Sequence, residues 1–244
     1  MEIQNKNIDF GQRTLETINV SDNFNKWMFN TISDFCFGKI LEIGSGIGNI
    51  SYHFLKSRKD IVLSDLNKKY IEILRDKFRE YKPEVIPLDI STNDFSSKYP
   101  DYTSKYDSVF ALNVIEHIED DNLAVKNCSL LLKANGILII LVPAYQALFN
   151  HFDTELGHYR RYTKKSLSSL IKEDFNILHL QYFNSVGILG WWLNGNLLKK
   201  KNLPDNQMQL FDKFVPLFKI IDKIIFNQLG LSVIVVCKKK QSLK

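Results

Sequence analysis

Cysteine is scarce in this 244-residue chain: Cys36, Cys128 and Cys237 stand far apart, each among apolar neighbours. That usage argues against a disulfide framework or a cysteine-rich metal site, and buried free thiols are expected. No stretch reaches the ~18 uninterrupted apolar residues of a membrane span. The nearest, from Val186 to Leu198, is broken by Asn194 and Asn196. The opening MEIQNKNIDFG lacks the basic and apolar regions of a secretion signal, so a cytoplasmic location is expected, with peripheral contact at a membrane left open. Charge of one sign is not in great excess either. A net charge of +5 and a pI near 8.9 fit an acidic or phosphorylated acceptor, a membrane surface or RNA without selecting among them.

What is present suffices for a sizeable core, because 45% of the residues are hydrophobic and 24% charged, with no sign of extended disorder. The densest local signal is KILEIGSGIGNIS, from Lys39 to Ser51. Ile40, Leu41 and Ile43 read as a buried strand that stops at Gly44, Gly46 and Gly48, with a helix beginning near Asn49. Glycines there let a ligand approach the backbone and permit positive φ. The helix start offers free N–H groups to a carboxylate or phosphate. Glu42 precedes the first glycine by two residues, and Asp65 ends the next apolar run, Ile61 to Ser64. That separation is close to the ~20 residues at which an acidic side chain binds the ribose hydroxyls of a nucleotide-type cofactor. Asp65 could equally cap the helix that starts near Lys68.

Further elements follow from periodicity and punctuation. Residues 1 to about 20 read as polar and irregular, and Ser21 as the N-cap of a helix from Asp22 to Phe35. A helix over Asn67 to Tyr81, a third strand over Val85 to Leu88, an irregular stretch from Asn93 to Tyr106 and a fourth strand over Asp107 to Leu112 come next. Then follow a helix over Asn122 to Leu132 and a fifth strand, Ile137 to Val142, with no polar residue, as a strand buried on both faces requires. Thr163 caps a helix to Lys172, Phe175 to Phe183 is a sixth strand, and LSVIVVC from Leu231 a seventh. About 45 residues separate those last two strands. They include a stripe of Leu210, Phe211, Phe214, Leu217, Phe218, Ile221 and Ile225, with Lys213, Lys219, Asp222 and Lys223 expected on the other side. Such a stripe can pack on the core as a lid, lie in a membrane interface or form a dimer contact, and core packing is the default expectation.

The sequence resembles the class I S-adenosylmethionine-dependent methyltransferases of small-molecule type. The family's E-x-G-x-G-x-G stands here as Glu42, Gly44, Gly46 and Gly48; its ribose carboxylate matches Asp65, with Leu66 beside the adenine. Its next acidic residue, which receives the adenine amino group, matches Asp89, followed by Ile90. The backbone near Asn113 matches the position that holds the cofactor's methionine amino group. The resemblance implies a Rossmann-like seven-stranded α/β sheet, mostly parallel with an antiparallel last strand, helices on both faces and a helical cap insertion. One domain is then expected, with a cap helix in 1–38, the cofactor core in 39–183, the insertion in 184–229 and the last strand with a basic tail in 230–244. The implied cofactor is S-adenosylmethionine, released as S-adenosylhomocysteine, and no metal is expected.

On the acceptor side, Asn113 to His117 lack the Asn/Asp-Pro-Pro-aromatic signature of enzymes that methylate amino groups of bases, which makes nucleic acid an unfavoured acceptor. His117 and His158 are candidate general bases, since an imidazole accepts a proton near neutral pH, and Tyr159 stands beside them. Glu116 and His117 could instead only shape the pocket wall. The segment after the fifth strand is dense in reactive groups: Tyr145, His151, Asp153, then GHYRRYT with Arg160 and Arg161. Arginine suits carboxylate or phosphate, or pairs within the chain with Asp153 and Glu155. Trp191 in the insertion could line a sugar-binding or apolar surface. The segment DTELGHYRRYT and the tryptophan-rich insertion also resemble methyltransferases associated with glycosyltransferases of cell-surface glycan assembly, which implies a sugar or lipid-linked sugar whose hydroxyl or amine is methylated. Two other readings stay open: a catalytically silent methyltransferase-like binding protein, and a nicotinamide-dependent oxidoreductase. The glycine spacing counts against the latter, because its GxGxxG fingerprint is absent. A homodimer also stays open.

Overall fold

The computed structural model describes residues 2–198 and 205–241, with side chains over 11–198 and 206–241. In chain order the elements are α1 (Glu2–Asn19), α2 (Asp22–Ile32), β1 (Ile40–Ile43), α3 (Ser51–Lys56), β2 (Ile61–Asp65), α4 (Lys68–Lys77), β3 (Val85–Pro87) and α5 (Phe95–Lys98). They continue with β4 (Tyr106–Leu112), α6 (Asp121–Leu131), β5 (Leu132–Pro143), α7 (His151–Leu156), α8 (Lys164–Ile171), β6 (Phe175–Phe183), α9 (Gly187–Trp192), α10 (Asp205–Ile224) and β7 (Ser232–Lys239).

The strands form one sheet in the order β3-β2-β1-β4-β5-β7-β6. The first five run parallel, and β7 enters antiparallel between β5 and β6. The apolar runs of β1, β2 and β5 are buried on both faces, as their lack of alternation requires. On one face, side chains such as Val109 and Leu138 pack against Phe95 of α5, Val125 and Cys128 of α6 and Leu167 of α8. On the other, Phe110 and Ile139 meet Trp27 and Ile32 of α2, Phe54 of α3, Leu74 of α4 and Val215 of α10. The expected seven-stranded, mostly parallel sheet flanked by helices is therefore the observed architecture. All three thiols are free and buried.

Several local expectations differ. Residues 2–19 are helical rather than irregular. Few apolar residues mark the helix, and neighbours hold it: Asn49 donates to the Leu15 carbonyl at 3.0 Å, Asn25 to that of Ile18 at 2.9 Å, and Lys69 to Gln12 at 2.6 Å. Ser21 precedes α2 without capping it through its side chain. Asp212 of α10 does so instead, accepting from the amides of Asn23 at 3.3 Å and Phe24 at 2.8 Å. Asp222, expected on the polar side of α10, is buried and accepts from the amides of Asn184 at 2.7 Å and Ser185 at 2.9 Å. Both aspartates satisfy backbone groups that would otherwise be buried without a partner.

Candidate active site

The carboxyl ends of the central strands open into a cavity of about 1000 Å³, the position at which open α/β sheets bind ligands. Its floor is the glycine turn after β1, where Gly44, Gly46 and Gly48 have φ of 68°, 55° and 80°. A Cβ on Gly44 would approach Val114 Cγ2 to 2.5 Å, so glycine is required by both conformation and space. Gly44 and Gly46 border the cavity. Gly48, expected to bind the cofactor, does not; a Cβ there would stand 2.4 Å from the Phe78 ring, and its role is to let the turn pack against α4.

Two carboxylates stand over this turn. Glu42 is buried, accepts from the Ser51 hydroxyl and is pushed by burial up to about 8. Asp65 accepts from the Gly46 amide at 2.9 Å and the Asn67 amide at 2.8 Å. Burial raises its pKa, and those amides oppose the rise. Asn67, rather than Asp65, caps α4 through the Lys69 amide. Leu66 is exposed on the cavity wall; Asp89, anchored by the Ser91 amide at 2.9 Å, and Ile90 lie on the same wall. Asn113 ends β4 with φ of 54°, its amide donating to the Leu141 carbonyl at 2.8 Å. A non-glycine residue in the left-handed region is uncommon, and this one borders the cavity.

A second group lies after β4 and β5. His158 Nδ1 donates to Asp153 Oδ1 at 2.8 Å, and the same oxygen accepts from Arg161 Nε at 2.8 Å. Burial alone would raise the Asp153 pKa; the His158 hydrogen bond and the Arg161 charge outweigh it and hold the group below its ordinary value. The geometry arises because α7 ends at Gly157 with φ of 78°, turning the chain back on the helix it has left. His158 Nε2 lies 4.0 Å from Glu116 Oε1, and the His117 and His158 ring centroids are 4.6 Å apart. Burial pushes Glu116 up to about 8, and neither of its oxygens has a hydrogen-bond partner. Burial, reinforced by His158, lowers His117 to about 4, so this imidazole is neutral at pH 7. The Tyr159 amide donates to the Glu116 carbonyl at 2.8 Å, fastening this segment to the end of β4. Arg161 also donates to the Ala144 carbonyl at 3.1 Å and lies 4.6 Å from the Trp191 ring centroid. His117, His158, Tyr159, Arg161 and Trp191 all border the cavity.

Three other expected acceptor residues do not border it. Arg160 pairs with Asp121 Oδ2 at 2.8 Å and donates to the Glu119 carbonyl at 2.7 Å. Adjacent residues of an extended segment point to opposite sides, so Arg161 turns inward and Arg160 outward. Tyr145 stacks on Tyr182 of β6 at 4.9 Å, and His151 opens α7 with its ring 4.4 Å from that of Phe152. In their place α1 supplies Thr14, Leu15 and Ile18, and α2 supplies Phe24 and Met28. The polar composition of α1 carried no signal for its three residues.

Residues 41–138 match a family model described as a methyltransferase domain. Over that stretch the chain is similar to methyltransferase domains, and its sheet has the Rossmann-like order of the class I S-adenosylmethionine-dependent methyltransferases. It is 32% identical over 118 residues to a highly reducing polyketide synthase of Aspergillus nomiae, covering 44% of this chain and 5% of that protein. It is 29% identical over 105 residues to the ubiquinone biosynthesis O-methyltransferase of Pelagibacter ubique, covering 42% and 40%. The chain thus spans well under two thirds of these curated relatives. A S-adenosylmethionine-dependent methyltransferase structure from Archaeoglobus fulgidus superposes with a TM-score of 0.56 at 14% identity, covering 88% of this chain and 94% of that one, and shows the shared fold. The residues present fit S-adenosylmethionine, the cofactor of the proteins this chain resembles: the glycine cradle would be filled by any Cβ at Gly44, and the carboxylates stand over the turn that follows β1.

Proposed function

We propose that this methyltransferase domain moves a methyl group from S-adenosylmethionine to a hydroxyl of a small acceptor, a sugar or a lipid-linked sugar in particular. The cofactor supplies an activated methyl on a sulfonium, so the protein contributes position, orientation and proton removal. In this reading Gly44, Gly46 and Asn113 receive the amino-acid end, Asp65 the ribose hydroxyls, and Leu66, Asp89 and Ile90 the base. Residues 39–183 act as the cofactor core, with the described parts of 1–38 and 184–229 closing the cavity around it.

The observation that carries the choice of a hydroxyl is the Asp153–His158 pair at the cavity wall. An imidazole whose Nδ1 donates to an ionised carboxylate keeps Nε2 as its proton-accepting atom. An amine acceptor would offer a neutral lone pair and need no such arrangement. Support for a sugar comes from aromatic and amide side chains together on the wall, Tyr159 and Trp191 with Asn184 and Asn194. An acidic or phosphorylated acceptor loses its main argument, because Arg160 and Arg161 are both engaged by aspartates.

Isothermal titration with S-adenosylmethionine, S-adenosylhomocysteine and NAD tests the cofactor assignment; heat with NAD alone would overturn it. Turnover with a panel of nucleotide sugars, lipid-linked sugars and small amines tests the acceptor class. Methylation confined to amines would overturn the hydroxyl assignment, and cofactor binding without turnover on any of them would favour a silent binding protein.

A further inference from the structure

Most of the large apolar side chains exposed among the described residues fall in the insertion between β6 and β7. Along α10, Leu210, Phe214, Leu217, Ile220 and Ile224 are each about half exposed or more, while Val215 on the opposite side is fully buried. A soluble helix with an apolar inner face ordinarily carries polar residues outside, and an uncovered apolar stripe marks an interaction surface. A second exposed apolar group, Leu189, Trp192, Leu193 and Leu197, follows on α9 and the π-helical turn after it. Both elements border the cavity, through Trp191 and Asn194 on one and Met208 and Phe211 on the other.

The charges on α10 identify what this face meets. The acidic residues between 206 and 229 are Asp212 and Asp222, and both are turned inward to the amides at the start of α2 and the end of β6. The basic side chains left exposed are Lys213 and Lys223, with Lys219 half-buried between them. A two-fold contact between copies would bring these lysines toward their own equivalents, with no outward acid among the described side chains of this helix to offset them. An anionic lipid surface accepts both features at once, apolar side chains at the acyl boundary and lysines at the headgroups. No helix among the described residues is long and apolar enough to cross a membrane, so the contact is one of lying on the surface.

We propose that the outer face of the insertion docks on an anionic lipid bilayer and sets the cavity mouth at that surface. Delivery of a lipid-borne acceptor to the cavity rests on the methyl-transfer reading above; the docking itself does not. The test is co-sedimentation of the full chain with vesicles, without cofactor or acceptor. Binding to vesicles of equal parts phosphatidylcholine and phosphatidylglycerol is expected to exceed binding to phosphatidylcholine alone by roughly tenfold or more. Leu217→Glu with Ile224→Glu should reduce it at least ~10-fold. Lys213→Gln with Lys223→Gln, which leaves the apolar face intact and serves if the first pair fails to fold, should reduce the preference for anionic vesicles by roughly 10- to 30-fold. Absence of binding to both vesicle types, or undiminished binding by both variants, overturns the proposal. So does a concentration-dependent dimer in light scattering that Leu217→Glu with Ile224→Glu abolishes, since a second copy would then cover the face. A chain that docks but fails to bind S-adenosylmethionine removes the methyl-transfer reading alone; one that binds it and ignores vesicles removes the docking alone.

Discussion

The two halves of the cavity are built in different ways. The half over β1 and β2 comes from a contiguous strand, turn and helix plus one aspartate nineteen residues from the glycine amide it accepts from. The half over β4 and β5 is assembled from Glu116 and His117 after β4, Asp153 and His158 around α7, and Trp191 in the insertion. A contiguous site constrains the backbone and leaves little freedom in what it can hold. A site gathered from separate segments can change its acceptor while the sheet stays the same.

Substitutions should separate the halves cleanly, and the largest effect is expected at His158. His158→Ala should lower turnover by ~10²–10⁴-fold, the usual contribution of a general base, while S-adenosylmethionine affinity measured calorimetrically stays unchanged. Loss of both together would show that the halves are not independent. Asp65→Ala should act in reverse, weakening cofactor binding by roughly 10- to 100-fold, as expected for hydrogen bonds to a charged group of about 1.5–3 kcal/mol.

Stability should respond to the packing between glycine turn and α4. Gly48→Ala is expected to lower unfolding free energy by about 1–3 kcal/mol in urea titrations, because its φ is positive and the Cβ meets Phe78. The buried acids give a pH signature. Glu42 and Glu116 have folded pKa values raised to about 8 from 4.5, so the folded chain binds more protons than the unfolded chain between those values. Their contribution is fully present below about 4.5 and is lost as pH rises through about 8. Glu116→Gln should flatten the decline in stability across that window. The smallest effect is expected at Arg160, whose partly exposed pair with Asp121 is worth up to about 1 kcal/mol. Arg160→Ala should leave cofactor affinity and turnover nearly unchanged, and a large loss of turnover would restore it to the acceptor site.

How much was legible in the sequence follows the same division. The strand, glycine turn and Asp65 could be placed because periodicity, turn chemistry and spacing all act within a few dozen residues. Seven strands were recognisable from apolar runs, and β6 was delimited at Phe175 and Phe183. The helix α1 was not, since tertiary contacts from Asn49, Asn25 and Lys69 stabilise it rather than its own pattern. Arg160 and Arg161 could not be told apart before the extended backbone assigned them opposite sides. Asp222 reads as a surface residue from its charge alone, although the helical period sets it on the same side as buried Val215; the free amides at the end of β6 explain why a carboxylate is accepted there.

Those inward aspartates have a mechanical consequence. Asp212 clasps the start of α2 and Asp222 the end of β6, so the insertion is fastened at two places, one on a helix packed on the sheet and one on the sheet itself, rather than hinged from one. Whatever the insertion rests upon therefore also orients the strands beneath it, and a surface contact would decide the direction in which the cavity opens.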